Sequence, residues 1–524
     1  MILSFFNSRI FLVFLFPFVL GALTVLSFQP FNYNYINFLI IPALFLVTKY
    51  VQKRSKNTYR KKPYLLNLFL IGYLFGIGFF LTGTYWISHS LTFDENFKFL
   101  IPISLIGLPI FLGIFFGLAN LIAGPFIKSN FISILLFSSS FAFMDFLRSK
   151  IFTGFPWNMW AYTWSWTPDV LQLLPVIGFF TFNFFCIIFY CSPLLLVFRK
   201  KFGYILFSLL GVIFFGNYIY GNTVIKKNSQ YLEKIELNSK NSIYTKIISP
   251  NFDLKYNLSN EEIGKNISEL IKYSAPEKNK KTLFVWPEGI FTGFSFNQIE
   301  QYRFMFRKAF SENHLILFGV NTVVNTQTKN QTFNSLVIIN NKFDILFKYD
   351  KVKLVPFGEF LPFEKTLGTL GLKKITEGHG SFAKGKESNI FLLENLKLLP
   401  LICYEIIFPE LSQNKKQKNL IVNISEDAWF GETIGPNQHF AKAIFRAIEN
   451  NVFLIRSANK GFSAFINNKG VIKKILSPNE TGVIELKVPF INNSQRKYKI
   501  DLIFLVLLFT CVSIFLIFKK NDKK

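Results

Sequence analysis

Hydrophobic residues fall along the chain in two regimes. Through the first 220 residues they come in long runs of Phe, Leu and Ile, near residues 10 to 27, 36 to 50, 64 to 88, 99 to 126, 131 to 147, 172 to 198 and 203 to 220. One more runs from Ile500 to Phe518. Each approaches or exceeds the ~20 residues needed to cross a hydrocarbon core. Only Asp94, Glu95, Asp145 and Asp169 are acidic in that first stretch. The pattern predicts a membrane protein with seven spans, a large soluble insert and one closing span. Arg9 before the first run looks like a secretion leader. The run is long, however, no clear small-x-small cleavage site follows, and another span comes next, so it reads as a retained helix.

Between Ser242 and Val488 the period shortens. Ile243 to Ile248, Thr282 to Trp286, Leu315 to Val320, Asn334 to Ile339, Leu398 to Cys403, Leu420 to Ile424 and Val452 to Arg456 read as strands. Glu261 to Tyr273, Ile299 to Glu312 and Gln438 to Asn450 read as helices. Alternating strand and helix predicts a layered α/β domain, in which usable chemistry collects beyond strand ends. Glu288, Cys403 and Ser425 each follow a predicted strand.

Charge gives the orientation. Lys49, Lys53, Arg54, Lys56, Arg60, Lys61 and Lys62 follow the second run, Arg199-Lys200-Lys201 the sixth, and Lys519, Lys520, Lys523 and Lys524 the last. Positive residues stay in the cytoplasm, so both termini are expected inside, although Arg148 and Lys150 mildly oppose the pattern. The expected organisation is residues 1–221 as a seven-helix membrane domain, 222–495 as an extracytoplasmic catalytic domain, and 496–524 as a closing span with a basic tail. In a bacterium that is the inner membrane, with the insert in the periplasm. The net charge of +27 comes with no basic recognition motif, so nucleic acid is not expected as a partner. Cys186, Cys191 and Cys511 lie in predicted spans and the four histidines are scattered, so neither a disulfide framework nor a metal site is expected.

Cys403 is the one cysteine outside the apolar runs. Taken alone, a thiol at a strand end is an ordinary small core residue, Glu288 a loop residue and Lys351 part of a solvated face. Together they suggest more. A thiol is mostly protonated at neutral pH and needs a base. Glu288 can take the proton if burial beside Trp286 raises its basicity, and Lys351 can hold the thiolate and the oxyanion formed when sulfur attacks a carbonyl.

The local sequences narrow this further. Val-Trp-Pro-Glu-Gly around Glu288, Tyr-Asp-Lys-Val-Lys-Leu-Val-Pro-Phe-Gly-Glu-Phe-Leu-Pro around Lys351 and Glu359, Ile-Cys-Tyr-Glu around Cys403, and Ile-Ser-Glu-Asp-Ala-Trp-Phe-Gly before Gly-Pro-Asn-Gln-His-Phe resemble the nitrilase, or carbon-nitrogen hydrolase, superfamily. With eight spans and Gly-Phe-Pro-Trp at Gly154 to Trp157, the chain is similar to the apolipoprotein N-acyltransferases. The resemblance implies a nitrilase-like sandwich with Glu288 as base, Lys351 as oxyanion stabiliser and Cys403 as nucleophile, supported by Glu359, Tyr404 and Glu405, with Tyr256, Trp157 and Trp429 at the substrate. It implies a cofactor-free transfer of an acyl chain from a phospholipid, typically phosphatidylethanolamine, through a thioester to the α-amine of a diacylated apolipoprotein. Two positions depart from the pattern: Tyr256 where tryptophan is common, and Glu426 in place of asparagine.

A membrane-tethered amidase, with water as acceptor, is the alternative. A non-enzymatic carrier is disfavoured by the scarcity of paired charges in the spans. Residues 360 to 385 suggest either a mobile apolar lid or a packed insertion. Trp157, Trp160, Tyr162, Trp164 and Trp166 suggest an interfacial aromatic belt, or a grip on lipid or on the catalytic domain. Asp145 beside Arg148 suggests an interfacial pair.

Overall fold

The computed structural model describes residues 6, 8–58, 64–236, 241–256, 258–325, 330–364, 381–387, 389–413, 417–491 and 501–521. It forms two compact units, one of residues 1–223 with 497–524 and one of residues 224–496. Most of the segment expected to be either a lid or a packed insertion, residues 365–380, lies outside the described residues.

In the first unit, helices long and apolar enough to cross a membrane cover Ile10–Ser27, Asn34–Arg54, Tyr64–Thr92, Glu95–Phe126, Phe131–Lys150, Phe179–Val197, Lys201–Ile235 and Asp501–Lys520, the seventh running on into the second unit. The sixth run is shorter than its hydropathy suggested. Gly178 takes a φ of +81°, a conformation open to glycine that breaks the run, and the long helix starts at Phe179. The seventh is longer, reaching Glu236. Hydropathy marks where the apolar character stops, whereas the Lys, Asn and Gln residues beyond carry the helix on.

The expected aromatic belt is corrected by the packing. Trp157, Trp160, Tyr162 and Trp164 are buried and only Trp166 is largely exposed. Trp157 lies against Trp86 and Trp164 stacks on Tyr190, with centroids 4.6 and 6.1 Å apart. The segment is drawn inward by Arg148, whose Nη1 donates to the carbonyls of Phe155 at 2.6 Å and Trp157 at 2.9 Å. Arg148 also pairs with Asp145 at 2.9 Å, as expected, and both are fully buried within the protein.

Among its described residues the second unit holds two six-stranded sheets. One has the order β12 (Gly482–Pro489), β1 (Ser242–Ser249), β2 (Thr282–Val285), β3 (His314–Asn325), β4 (Asn330–Ile339), β5 (Ile345–Asp350). The other runs β11 (Ile472–Leu476), β10 (Ser463–Ile466), β9 (Phe453–Asn459), β8 (Leu420–Glu426), β7 (Leu396–Ile402), β6 (Phe391–Leu393). The sheets meet where β1 lies on β9 and β4 on β7. The central strands β1–β2–β3 and β7–β8–β9 are parallel. Their continuous apolar runs suit strands buried on both faces. On the outer face of the first sheet, Phe284, Trp286, Ile316 and Phe318 pack with Ile263, Ile267 and Leu270 of helix Asn260–Ser274. That helix begins at a reciprocal cap: Glu262 N–H donates to the Ser259 hydroxyl and Ser259 N–H to the Glu262 carboxylate.

Candidate active site

Parallel strands finish on the same edge of a sheet, and there the second unit gathers its polar residues. Glu288 follows β2 across Trp286-Pro287. Its Oε1 accepts from Asn334 Nδ2 at 2.8 Å and lies 3.6 Å from Lys351 Nζ, while Oε2 accepts from the Glu426 N–H at 3.1 Å. The carboxylate reaches this place because β3 has a glycine beside it: a Cβ on Gly319 would stand 2.9 Å from Glu288 Cα. Burial raises the Glu288 pKa, Lys351 opposes that, and the Glu359 charge adds to it. The result is a stronger base than a solvated carboxylate.

Lys351 leaves the end of β5, and its N–H donates to the Asn334 carbonyl at 2.9 Å. Its Nζ donates to Glu359 Oε1 at 2.9 Å. The same Glu359 oxygen accepts from Asn334 at 2.8 Å, and its partner accepts from the Val355 N–H at 2.8 Å. Burial pulls the Lys351 pKa down, but Glu359 and Glu288 outweigh it and hold the amine above the usual lysine value. Lys351 is therefore a fixed cation between two carboxylates.

Cys403 is the first residue past β7 and takes a φ of +46°, the left-handed region that side chains avoid. The turn is pinned by Glu405, fully buried. Its carboxylate accepts from the N–H groups of Ile402, Val352 and Lys353 at 2.9, 2.7 and 3.0 Å and from the Tyr349 hydroxyl at 2.9 Å. One side chain thus ties the Cys403 turn to the segment that carries Lys351. Tyr404 is also buried, its ring against Phe408 with centroids 5.1 Å apart.

The charges of Glu288 and Lys351 both act on the Cys403 sulfur. Burial raises the thiol's pKa, Glu288 adds to the rise and Lys351 opposes it. At rest Cys403 is a neutral thiol, which would have to hand over its proton before it could attack.

Of the other residues expected at the site, Tyr256 and Trp429 meet with centroids 6.1 Å apart, both half-buried. Trp157 belongs to the first unit and is fully buried in its core. Glu426 is buried, its carboxylate accepting from Ala428 N–H at 3.0 Å and Asn459 Nδ2 at 2.8 Å. Asn334, which donates to both Glu288 and Glu359, was not singled out in the sequence. Nor was the buried set of Asp427, Arg456 and His439. Arg456, a charge at the end of an apolar run, was the signal for that set.

Residues 20–192 match the apolipoprotein N-acyltransferase N-terminal domain and residues 245–492 match the carbon-nitrogen hydrolase family. An apolipoprotein N-acyltransferase of Rhizobium leguminosarum is 33% identical over 483 residues, 89% of this chain and 88% of its own length. One of Rickettsia typhi is 31% identical over 90% of this chain and 91% of its own. Among solved structures, an amidase from Nesterenkonia sp. covers 48% of this chain and 91% of its own at 17% identity with a TM-score of 0.35, too distant for inference. Because likeness to curated relatives runs through both units, the chain belongs to the apolipoprotein N-acyltransferase family.

Proposed function

We propose that this chain transfers an acyl chain from a membrane phospholipid, phosphatidylethanolamine in the simplest case, to the α-amine of a diacylglyceryl-cysteine at the N-terminus of an apolipoprotein. Cys403 carries the acyl group between them as a thioester. The observation that carries the reading is a buried thiol on which a basic carboxylate and a fixed cation both act, in a chain whose family relatives bear that activity in their name. Glu288 takes the thiol proton as the sulfur attacks the donor's ester carbonyl. Lys351 stabilises the oxyanion. The scheme uses no cofactor.

Glu359 and Glu405 act as positioning residues, since each holds a catalytic segment by several hydrogen bonds at once. Tyr404 is proposed to support the Cys403 turn, and Tyr256 and Trp429 to shape the substrate's surroundings. The apolar helices anchor the enzyme in the bacterial inner membrane, residues 222–495 face the periplasm, and both termini are cytoplasmic. An anchored enzyme suits an anchored donor, because moving an acyl chain into water costs about 0.8 kcal/mol per CH₂.

The test is the purified full-length protein with phosphatidylethanolamine vesicles and no acceptor. A hydroxylamine-sensitive acyl mass on Cys403 and one equivalent of lysophospholipid are expected. Continuous release of free fatty acid would instead assign water as acceptor and make the chain a hydrolase.

A further inference from the structure

Ser425 stands beside the nucleophile without a part in that scheme. β7 and β8 run parallel with Ile402 opposite Ile424. Cys403, the first residue past β7, and Ser425, the last but one of β8, therefore follow paired residues on adjacent strands, which lie ~4.8 Å apart. Ser425 is fully buried, and its hydroxyl acts on the Cys403 thiol in the direction that favours charge on the sulfur. Yet its Oγ donates to Asp427 Oδ1 at 2.6 Å. A hydroxyl has one proton. Ser425 can accept from the neutral thiol while donating to Asp427, or it can leave Asp427 and donate to a charged sulfur.

Asp427 is able to release that proton. Arg456 Nη2 donates to its two oxygens at 3.0 and 2.7 Å, and His439 Nδ1 lies 3.1 Å from Oδ1. The carboxylate keeps strong partners after the hydroxyl turns. A buried thiolate, by contrast, needs a donor on the sulfur itself, where an added hydrogen bond to a charged atom is strong.

We propose that Ser425 is a further catalytic residue, a rotating hydroxyl that donates to Asp427 while the Cys403 thiol is neutral and to the sulfur whenever the sulfur carries charge. Its timing rests on the acyl-transfer reading. In the first half-reaction the thiol proton moves to Glu288 and the sulfur electron pair forms the bond to the acyl carbon. The ester C–O bond then breaks, and the departing alkoxide takes the proton from Glu288. In the second, the amine nitrogen bonds to the acyl carbon, the C–S bond breaks with its electron pair on sulfur, and the amine's surplus proton returns through Glu288 to the thiolate. Ser425 donates at both moments and exchanges no atom.

The experiment compares Ser425→Thr with Ser425→Val, matched in shape and differing in the hydroxyl, with Ser425→Ala alongside. Alkylation of Cys403 by iodoacetamide is followed from pH 6 to 10 in the full-length protein, the modified peptide being measured by mass spectrometry. Ser425→Thr should keep the wild-type profile. Val and Ala should shift it to higher pH and slow neutral-pH alkylation roughly ten- to a hundredfold, the effect of one hydrogen bond to a charged atom. Coincident Thr and Val profiles would overturn the proposal. Alkylation needs no acyl donor, so a Thr and Val split in an enzyme that forms no thioester would defeat the transferase reading while leaving Ser425 at the sulfur.

Discussion

At Cys403 the backbone, rather than the side chain, is the costly feature. A φ of +46° is held at about 1–3 kcal/mol in a non-glycine residue and persists because the surroundings over-determine it. The four Glu405 hydrogen-bond partners do so here. Cys403→Gly and Cys403→Ala should both abolish acylation, but the glycine variant should be the more stable by about 1 kcal/mol, since only alanine retains the strain. Thermal unfolding of the pair decides; equal melting points would mean that the turn carries no strain. Glu288 stores a different cost. Its pKa is raised by burial, so the carboxyl contributes its full stability below the unfolded value near ~4.3 and loses it as pH rises through the folded one. Glu288→Gln should therefore melt higher than wild type at pH 7, with the gap closing toward pH 4, while forming no thioester. A variant that forms the thioester at the wild-type rate would remove Glu288 as the base. The motif residues could be found in the sequence because their order and spacing are distinctive. Asn334 could not be, because an asparagine at a strand start looks the same whether it faces solvent or bridges two carboxylates.

Among the elements, β8 and β9 carry most of a buried ionic set, Asp427 following β8 and Arg456 lying on β9. Burial raises the Asp427 pKa, but Arg456 and His439 outweigh it and hold the carboxyl well below its usual range. Burial and the Arg456 charge push His439 down from 6.5 to about 4. Both groups predict acid sensitivity, in separate windows. As pH falls from about 6.5 to about 4, the unfolded His439 binds a proton that the folded one refuses, and at ~1.4 kcal/mol per pKa unit the loss is on the order of 3 kcal/mol. Below that, the stability contributed by ionised Asp427 is lost in turn. His439→Gln should flatten the first slope and leave the second, as read by tryptophan fluorescence melting across pH; an unchanged slope would place the titration elsewhere. Asp427→Asn should cost about 3–5 kcal/mol at pH 7 by leaving Arg456 buried without its counter-charge. The sequence showed the central strands, whose apolar runs are continuous, but missed β5, β6 and β10 to β12. β5 alternates charge with aromatic residues and β6 has three residues, too few for a period to show. The predicted helix Ile299 to Glu312 is interrupted by a tighter turn at Glu300–Tyr302, a local change to which hydropathy is blind.

For the molecule as a whole, the unanswered requirement is what covers its bare apolar surface. Phe202, Ile205, Val212, Phe215 and Ile219 on one long helix, and Val506, Phe509 and Ile517 on the last, are more than half exposed in the chain alone. Apolar surface repeated along whole helices fits a hydrocarbon environment. Lysine and arginine placement predicts the orientation, because translocating a basic turn is opposed. The decisive positions are Lys200, in the basic turn after the sixth apolar helix, and Lys473 on β11, both solvent-exposed in the structure. In intact cells a membrane-impermeant maleimide should label Lys473→Cys and spare Lys200→Cys until the membrane is permeabilised. Of the native thiols, Cys186, Cys191 and Cys403 are buried and Cys511 is half-buried in an apolar helix, so the cysteine-bearing wild type gives the background. Labelling of Lys200→Cys alone would invert the orientation, place the proposed catalytic set of Glu288, Lys351 and Cys403 in the cytoplasm and separate it from an extracytoplasmic lipoprotein amine.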